Sequence, residues 1–441
     1  MKSNTILIGL NELNFEFINY YITQGLLPNF KTLFEIQPPI ETISEDDYKL
    51  LEPWIQWVSI HTGKTFEEHQ VFRLGDIVDR PEISQIFEEL ESKGYKVGAV
   101  SPFNAENRLK NPAFFVPDPW TKTSPSGNWV VKALAKAVSQ SVNDNSQSKL
   151  NLKSILSIVL GVLVYVPIVR WFYYIKIFLK ATKPGLKAVI LDGLLSDVFI
   201  ALWKKTTPDF SVLFLNSGAH IQHHYLFNSQ AYQGEIKNPN WYCEKGFDPL
   251  IQVLKEYDIT LGRLLKLQNI KIVIATGLHQ QPHKHLTFYW RIRHLEKFSQ
   301  MVGVKNFIQI SPRMSRDFLI EFSNDSDSKI ADELLNSYYA KSDDQKIFKI
   351  DNRGTSLFVE LIYSNDISDV DAIYSKTTNQ VLEGFKSYVS FVAIKNGEHN
   401  GIGYVTSNVN LKLKNQIPIT QLYNIITDIT VKKYFNNLKS K

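Results

Sequence analysis

Cysteine is all but missing. Cys243 is the single one in 441 residues, so there is no internal disulfide framework and no cysteine-rich zinc module. A reduced compartment is the expectation. Excess charge of one sign is missing too: 49 Lys and Arg against 44 Asp and Glu leave +5. That is too thin to imply a nucleic-acid partner, which needs a clustered basic face. No run reaches the roughly 20 apolar residues that cross a bilayer. The longest candidate, Ile155–Val169, has fifteen residues without a charge, is interrupted by Pro167, and is followed by Arg170 and Trp171-Phe172-Tyr173-Tyr174. A buried helix fits this stretch. Docking on a membrane surface through the aromatic and basic end is the alternative, and a spanning helix is least favoured. At the N-terminus, Ile6–Leu10 stops at Asn11, too short for the centre of a signal peptide. A first buried strand is expected there, with a cytoplasmic address and a peripheral contact with the inner membrane through 155–179.

What is present is ordinary globular material, 44% hydrophobic, 21% charged and 12% aromatic, which excludes collagen-like, coiled-coil and wholly disordered chains. Short β-type runs alternate with helical periodicity. Strands are expected at Ile6–Leu10, Tyr95–Val100, Asp209–Leu215, Lys271–Ala275, Phe307–Ile310, Phe318–Phe322, Phe358–Ile362 and Tyr388–Ile394. Helices are expected after Asn14, after Pro28, at Glu82–Lys93, Ala188–Trp203, Pro249–Leu267 and Ile330–Tyr339, and at the C-terminus. This order predicts an α/β fold, a mostly parallel sheet with helices on both faces. One domain over 1–441 is expected, with a helical insertion near 124–205 that carries an exposed polar loop at 139–149.

Open parallel sheets bind ligands where strand carboxyl ends meet the following helices. Three such ends carry polar clusters. They are Asn11-Glu12 after the first strand, Asn216 to His224 after the strand at 210–215, and Thr276 to His285 after the strand at 271–275. Six of the ten histidines lie in the last two segments. His220 stands at i, i+3 and i, i+4 from His223 and His224, so on a helix these imidazoles share a face suited to a transition metal. Local packing of a helix start is the alternative. A loop is expected at His279–His285, and His399 falls in a glycine-rich turn. Glu52 precedes Pro53 at an expected helix start, where a carboxylate also complements the helix dipole. Trp54, Trp57 and Trp120 would suit stacking on a sugar or base, although aromatics close to a core more often pack.

These clusters, in this order, resemble the alkaline phosphatase superfamily, nearest to its type I phosphodiesterase/nucleotide pyrophosphatase branch. Ile8-Gly9-Leu10-Asn11-Glu12 is similar to the opening Gly-Leu-Asp-Gly turn, and Leu27-Pro28-Asn29-Phe30 to the Leu-Pro-Asn segment. Trp57 to Gly63, followed by His69-Gln70, is similar to the nucleophile helix and its His-Gly turn. The strand at 210–223 is similar to the one ending in an Asp-x-x-x-His pair, 272–280 to the Asp-His-Gly strand end, and Gly397 to Gly403 to the final histidine turn. The resemblance implies a phosphoryl-transfer fold with two metal ions held by aspartates and histidines. This chain departs from the pattern. The first aspartate falls on Asn11, the nucleophile near Pro53 beside Glu52, the second aspartate on Ala219, and the Asp-His pair on Gly277-Leu278 or Leu278-His279. Only His223 and His399 carry over as ligands.

A two-metal site needs an anionic shell, which these changes remove. The favoured expectation is a diverged phosphodiesterase or phosphotransferase acting on a phosphate ester, such as a sugar nucleotide or a surface-glycan precursor in polysaccharide biosynthesis. A catalytically inactive binding or assembly protein is the alternative. The expected catalytic residues are Glu52, held ionised by the helix dipole, with Asn11, Glu12 and His61; Trp54 and Trp57 would contact substrate. The cofactor is zinc on His223 and His399 with a third ligand from His220, His279 or Glu52, or there is none.

Overall fold

Alternate residues of the first strand divide between two cores. Ile6, Ile8 and Leu10 pack into one helical layer and Leu7 into the other. In β-strands successive side chains point to opposite faces, so a strand buried on both sides lies inside a helix–sheet–helix sandwich. The computed structural model describes residues 4–143, 152–313 and 316–431. From the N-terminus, β1 (Asn4–Leu10) leads to α1 (Phe15–Thr23), α2 (Pro28–Ile36), β2 (Ile40–Ile43), α3 (Pro53–Thr62), α4 (Phe66–His69) and α5 (Ile86–Ser92). β3 (Val97–Val100) and β4 (Phe114–Val116) precede four helices, α6 (Trp129–Asn143), α7 (Leu152–Tyr165), α8 (Ile168–Phe178) and α9 (Leu186–Thr206). Then come β5 (Phe210–Leu215), α10 (Ser217–Tyr225), α11 (Pro249–Leu265), β6 (Ile270–Ala275) and β7 (His279–Ile292).

A single domain is the expectation from sequence; the chain divides into two compact units. The first holds the chain up to Gly234 with Pro239–Pro282 and the part from Gly397 onward, and the second holds Glu235–Asn238 and His283–Asn396. The second contains α12 (Leu295–Met301), β8 (Phe307–Pro312), β9 (Asp317–Phe322), α13 (Asp325–Asn336), β10 (Tyr338–Ala340), β11 (Phe348–Asn352), β12 (Ser356–Leu361), β13 (Ile373–Ser375) and β14 (Val381–Leu382). Its four-stranded sheet, in the order β11-β12-β9-β8, is antiparallel. β9 and β12 alternate buried with half-buried residues, the pattern of a sheet with one covered face. β15 (Val389–Asn400) returns the chain to the first unit, where β16 (Ile402–Ser407), β17 (Gln416–Pro418) and α14 (Gln421–Val431) follow.

The central sheet of the first unit runs β17-β2-β16-β6-β1-β5-β3-β4. β6, β1, β5, β3 and β4 are mutually parallel, whereas β16 is antiparallel to both β6 and β2. The expected α/β class and mostly parallel sheet are thus present. Four details differ. The strand expected at 388–394 is not in this sheet: it belongs to β15, which pairs with β7. The segment His279–His285, expected as a loop, is the start of β7. The apolar run 155–169 is broken at Pro167 into α7 and α8, because proline lacks the N–H that a continuous helix needs. The loop expected at 139–149 begins as helix through Asn143, and 144–149 lies outside the described residues.

Candidate active site

β1 ends at Leu10, and Asn11 and Glu12 continue between the flanking strands: Asn11 N–H donates to Leu215 O at 3.0 Å and Glu12 N–H to Thr276 O at 3.0 Å. Glu12 adopts φ 56°, the left-handed region that favours glycine. It occupies the glycine position of the resembled turn. This backbone is held by buried amides. Gln222 Nε2 donates to Glu12 O at 2.9 Å, Asn14 N–H donates to Gln222 Oε1 at 3.0 Å, and Gln280 N–H donates to Glu12 O at 3.0 Å. A Cβ on Gly397 would lie 1.9 Å from Gln280 Oε1, so only glycine lets this strand pass so close.

The carboxylate of Glu12 meets two imidazoles. His223 Nε2 is 2.9 Å and His399 Nε2 3.1 Å from Glu12 Oε2, which also accepts from Gln280 Nε2 at 2.5 Å. Glu12 Oε1 accepts from Asn11 Nδ2 at 2.9 Å, and Asn11 Oδ1 accepts from Trp57 Nε1 at 2.9 Å. One ligand atom from each of Glu12, His223 and His399 lies within 4.8 Å of the other two. Burial alone would raise the Glu12 carboxyl, but His223 and His399 hold it well below the usual carboxylate range. Burial opposes protonation of His399, yet Glu12 raises its pKa above the ordinary value. The other ring nitrogen, His399 Nδ1, is 3.8 Å from Glu52 Oε2.

Each element has a reason to deliver its residue here. His223 lies on α10, whose start is fixed by Asp192 of α9. Asp192 Oδ2 accepts from Ser217 N–H at 2.8 Å and from the Tyr257 hydroxyl at 2.6 Å, and that hydroxyl accepts from Gly218 N–H at 2.9 Å. His399, expected in a glycine-rich turn, is the penultimate residue of β15, just before the chain turns into β16. Because β16 runs antiparallel, it begins at the edge where β1, β5 and β6 end.

Glu52 is the N-cap residue of α3, with no side-chain cap hydrogen bond. It is half-buried, and burial raises its pKa to about 7, with His399 opposing and Glu12 adding to the rise. Desolvation and the Glu12 carboxylate thus oppose the ionised form that the helix dipole was expected to favour. Trp57 is 0% exposed beneath Gly9 and Phe214, so it cannot stack on a ligand; its indole N–H orients Asn11 instead. Trp54 is half-buried and donates to Phe72 O. His61 is 1% exposed, packed against Trp57 and Phe87, and burial lowers its pKa to about 3. Neither of its ring nitrogens has a hydrogen-bond partner, and it does not join the Glu12 set.

The ionisable group that clusters with both His223 and His399 is Glu12 rather than His220, His279 or Glu52. His220 packs its ring on His224 and Tyr225. His279 Nδ1 donates to Ile402 O at 2.6 Å and its ring stacks on Tyr404. Glu52 faces the nitrogen of His399 turned away from Glu12. From sequence Glu12 is expected among the catalytic residues rather than the ligands; the one signal for the second role is that it follows the residue matching the first aspartate. The hydroxyls of α3 are occupied. Ser59 lies 3.2 Å from His69 Nε2, while His69 Nδ1 accepts from Val71 N–H at 3.0 Å, so Nε2 carries the proton and cannot act as base toward Ser59. Thr62 Oγ1 donates to Val58 O at 2.8 Å. A cavity of about 450 Å3 is lined by Asn14, Glu16, Glu41, His279 and Gln281 among others, but not by Glu12, His223 or His399.

The set fits a divalent cation. One carboxylate and two imidazoles are zinc-type donors. In the arrangement described, the histidine Nε2 atoms approach the acceptor Glu12 Oε2 as hydrogen-bond donors; a cation would take the place of those protons. Asn11 and Gln280 hydrogen-bond the carboxylate from outside, the kind of support that orients ligands.

No protein-family model matches this chain, and no curated protein matches it. Among solved structures, it is similar to phosphonoacetate hydrolase from Sinorhizobium meliloti 1021 in complex with phosphonoformate, at 11% identity and TM-score 0.44, covering 97% of this chain and 95% of that one. It is also similar to human ectonucleotide pyrophosphatase/phosphodiesterase 5, at 10% identity and TM-score 0.42, covering 97% and 95%.

Proposed function

We propose that the protein is a metal-dependent enzyme acting on a phosphate ester, with one cation where the resembled pattern has two. The observation that carries this reading is the meeting of Glu12, His223 and His399, with Glu12 and His399 hydrogen-bonded across 387 positions of the chain. Three buried or half-buried titratable groups converging at the carboxyl ends of a parallel sheet form a site with a chemical rationale. The ligands are Glu12, His223 and His399, and zinc is the ion the donors suit. When bound, it would supply Lewis-acid polarisation of a phosphoryl oxygen.

The protein's own groups do the rest. Glu52, next to His399, takes the proton of the incoming hydroxyl as the new oxygen–phosphorus bond forms, and the ester oxygen leaves on the opposite side. Trp54, two residues after Glu52, is the aromatic proposed to contact a sugar or base. The substrate class, a phosphate ester such as a sugar nucleotide, is inferred from the resemblance carried by the ordered motifs.

A panel of aryl phosphodiesters and sugar nucleotides, assayed with zinc and with or without an alcohol acceptor, tests the proposal. The parent should release product, and Glu52→Gln should lose about 10²–10⁴-fold, the usual contribution of a general base. A loss under about tenfold would remove Glu52 from the mechanism. A parent inactive across the panel would favour the binding or assembly protein.

A further inference from the structure

α7 and α8 each expose large apolar side chains. Val159 and Leu163 on α7 and Ile168, Val169, Phe172 and Leu179 at α8 are exposed, with Val169 at 82% and Phe172 at 78%. Soluble surfaces rarely carry so many large apolar groups in one patch without using it. The exposure is fixed by what lies behind the helices. Arg170, on the inner side of α8, is buried and bonds Asp197 Oδ2 at 2.9 Å and also Glu256, while Tyr174 bonds the same Asp197 oxygen. α8 cannot roll its apolar face inward without stripping a buried arginine of its carboxylates. On α7, a Cβ at Gly161 would lie 3.0 Å from Leu134 of α6, so that side is already in close contact.

The charge of this region has one sign. From Leu152 to Leu191 the chain has six Lys or Arg and no Asp or Glu. Arg170 is committed to Asp197 and Glu256, and Lys183 to Glu244. Lys176 and Lys180, in and just after α8, and Lys187 at the start of α9 are exposed. No helix among the described residues is long and apolar enough to cross a membrane. Short amphipathic helices of this composition lie in the bilayer interface, with apolar groups in the acyl boundary and lysines among anionic headgroups.

We propose that α7 and α8 dock the protein on an anionic lipid surface, inserting the Val169–Phe172 end and pairing Lys176 and Lys180 with lipid headgroups. The apolar face, the uniformly basic charge and the Arg170 anchor carry this, independently of the catalytic reading. The test is co-sedimentation of the full chain with phosphatidylcholine vesicles, with and without phosphatidylglycerol. The parent should pellet with the phosphatidylglycerol vesicles, and added salt should weaken the association. Val169→Glu with Phe172→Glu should reduce the bound fraction about tenfold or more. Lys176→Glu with Lys180→Glu should abolish the preference for phosphatidylglycerol. Val370→Glu, at an exposed site outside the patch, should bind as the parent does, and far-UV circular dichroism confirms that each variant is folded. Failure of the folded parent to pellet with either vesicle overturns the proposal, as does unchanged binding by the Val169/Phe172 variant. A concentration-dependent dimer that this variant abolishes, without vesicle binding by the parent, would show that a second copy covers the face and would equally overturn it.

Discussion

Glu12 has a glutamate side chain on a backbone conformation that costs an L-residue roughly 1–2 kcal/mol, and its carboxylate is buried. Both costs are offset by two histidines and three amide donors arranged around one short segment. His223 and His399 were readable as a pair only through the resemblance of the ordered motifs. Glu12 as their partner was not, because a residue at a glycine position gives no sign that it will adopt the glycine conformation and turn its carboxylate toward them. His61 was legible as a histidine on α3 but not as one facing the core, since a helix buried nearly all round has no polar face to place it on. Its burial yields a prediction. The folded pKa is about 3 against an unfolded value near 6.5, so between these values the unfolded chain binds more protons. The stability associated with neutral His61 is therefore present above pH 6.5 and declines as pH falls toward 3. His61→Phe removes that dependence and two unsatisfied nitrogens, and should gain about 1 kcal/mol at pH 7.5. Urea unfolding at pH 7.5 and 5 should show the advantage widening in acid; an advantage that shrinks would contradict the assigned burial.

At the scale of elements, the strands β1, β5 and β6 were legible as apolar runs ending in polar clusters. β16 was not, because a short strand of mixed residues shows neither its direction nor its partner. That direction matters: an antiparallel β16 starts at the edge where β1, β5 and β6 end, which brings the end of β15, with His399, to that edge. The helical insertion was legible as apolar helices, but not the role of α9. Its Asp192 accepts from the α10 start and from Tyr257, so the insertion helps to position His223. Asp192→Ala would leave these donors unsatisfied and should destabilise the protein by about 1–3 kcal/mol. Zinc affinity should fall about tenfold or more, as for other groups that orient a metal ligand. Thermal unfolding together with zinc titration checks both; a variant matching the parent in each would show that α10 does not depend on this contact.

For the whole molecule, alternation of strands and helices foretold the α/β class, and strands were legible at 318–322 and 358–362, but not that they belong to a sheet of their own. The division into two units was not legible, because the polar segment 279–285 and the glycine-rich segment 396–403, where the chain crosses between them, read as a loop and a turn within one domain. What the fold does chemically turns on whether the sheet edge of the first unit holds a metal. The direct measurement is zinc content and affinity of protein purified without chelator or affinity-tag histidines. The parent should bind one equivalent. Glu12→Gln, and His223→Ala combined with His399→Ala, should lose it while keeping the parent far-UV circular dichroism. Equal zinc content in parent and folded variants would contradict the Glu12–His223–His399 centre.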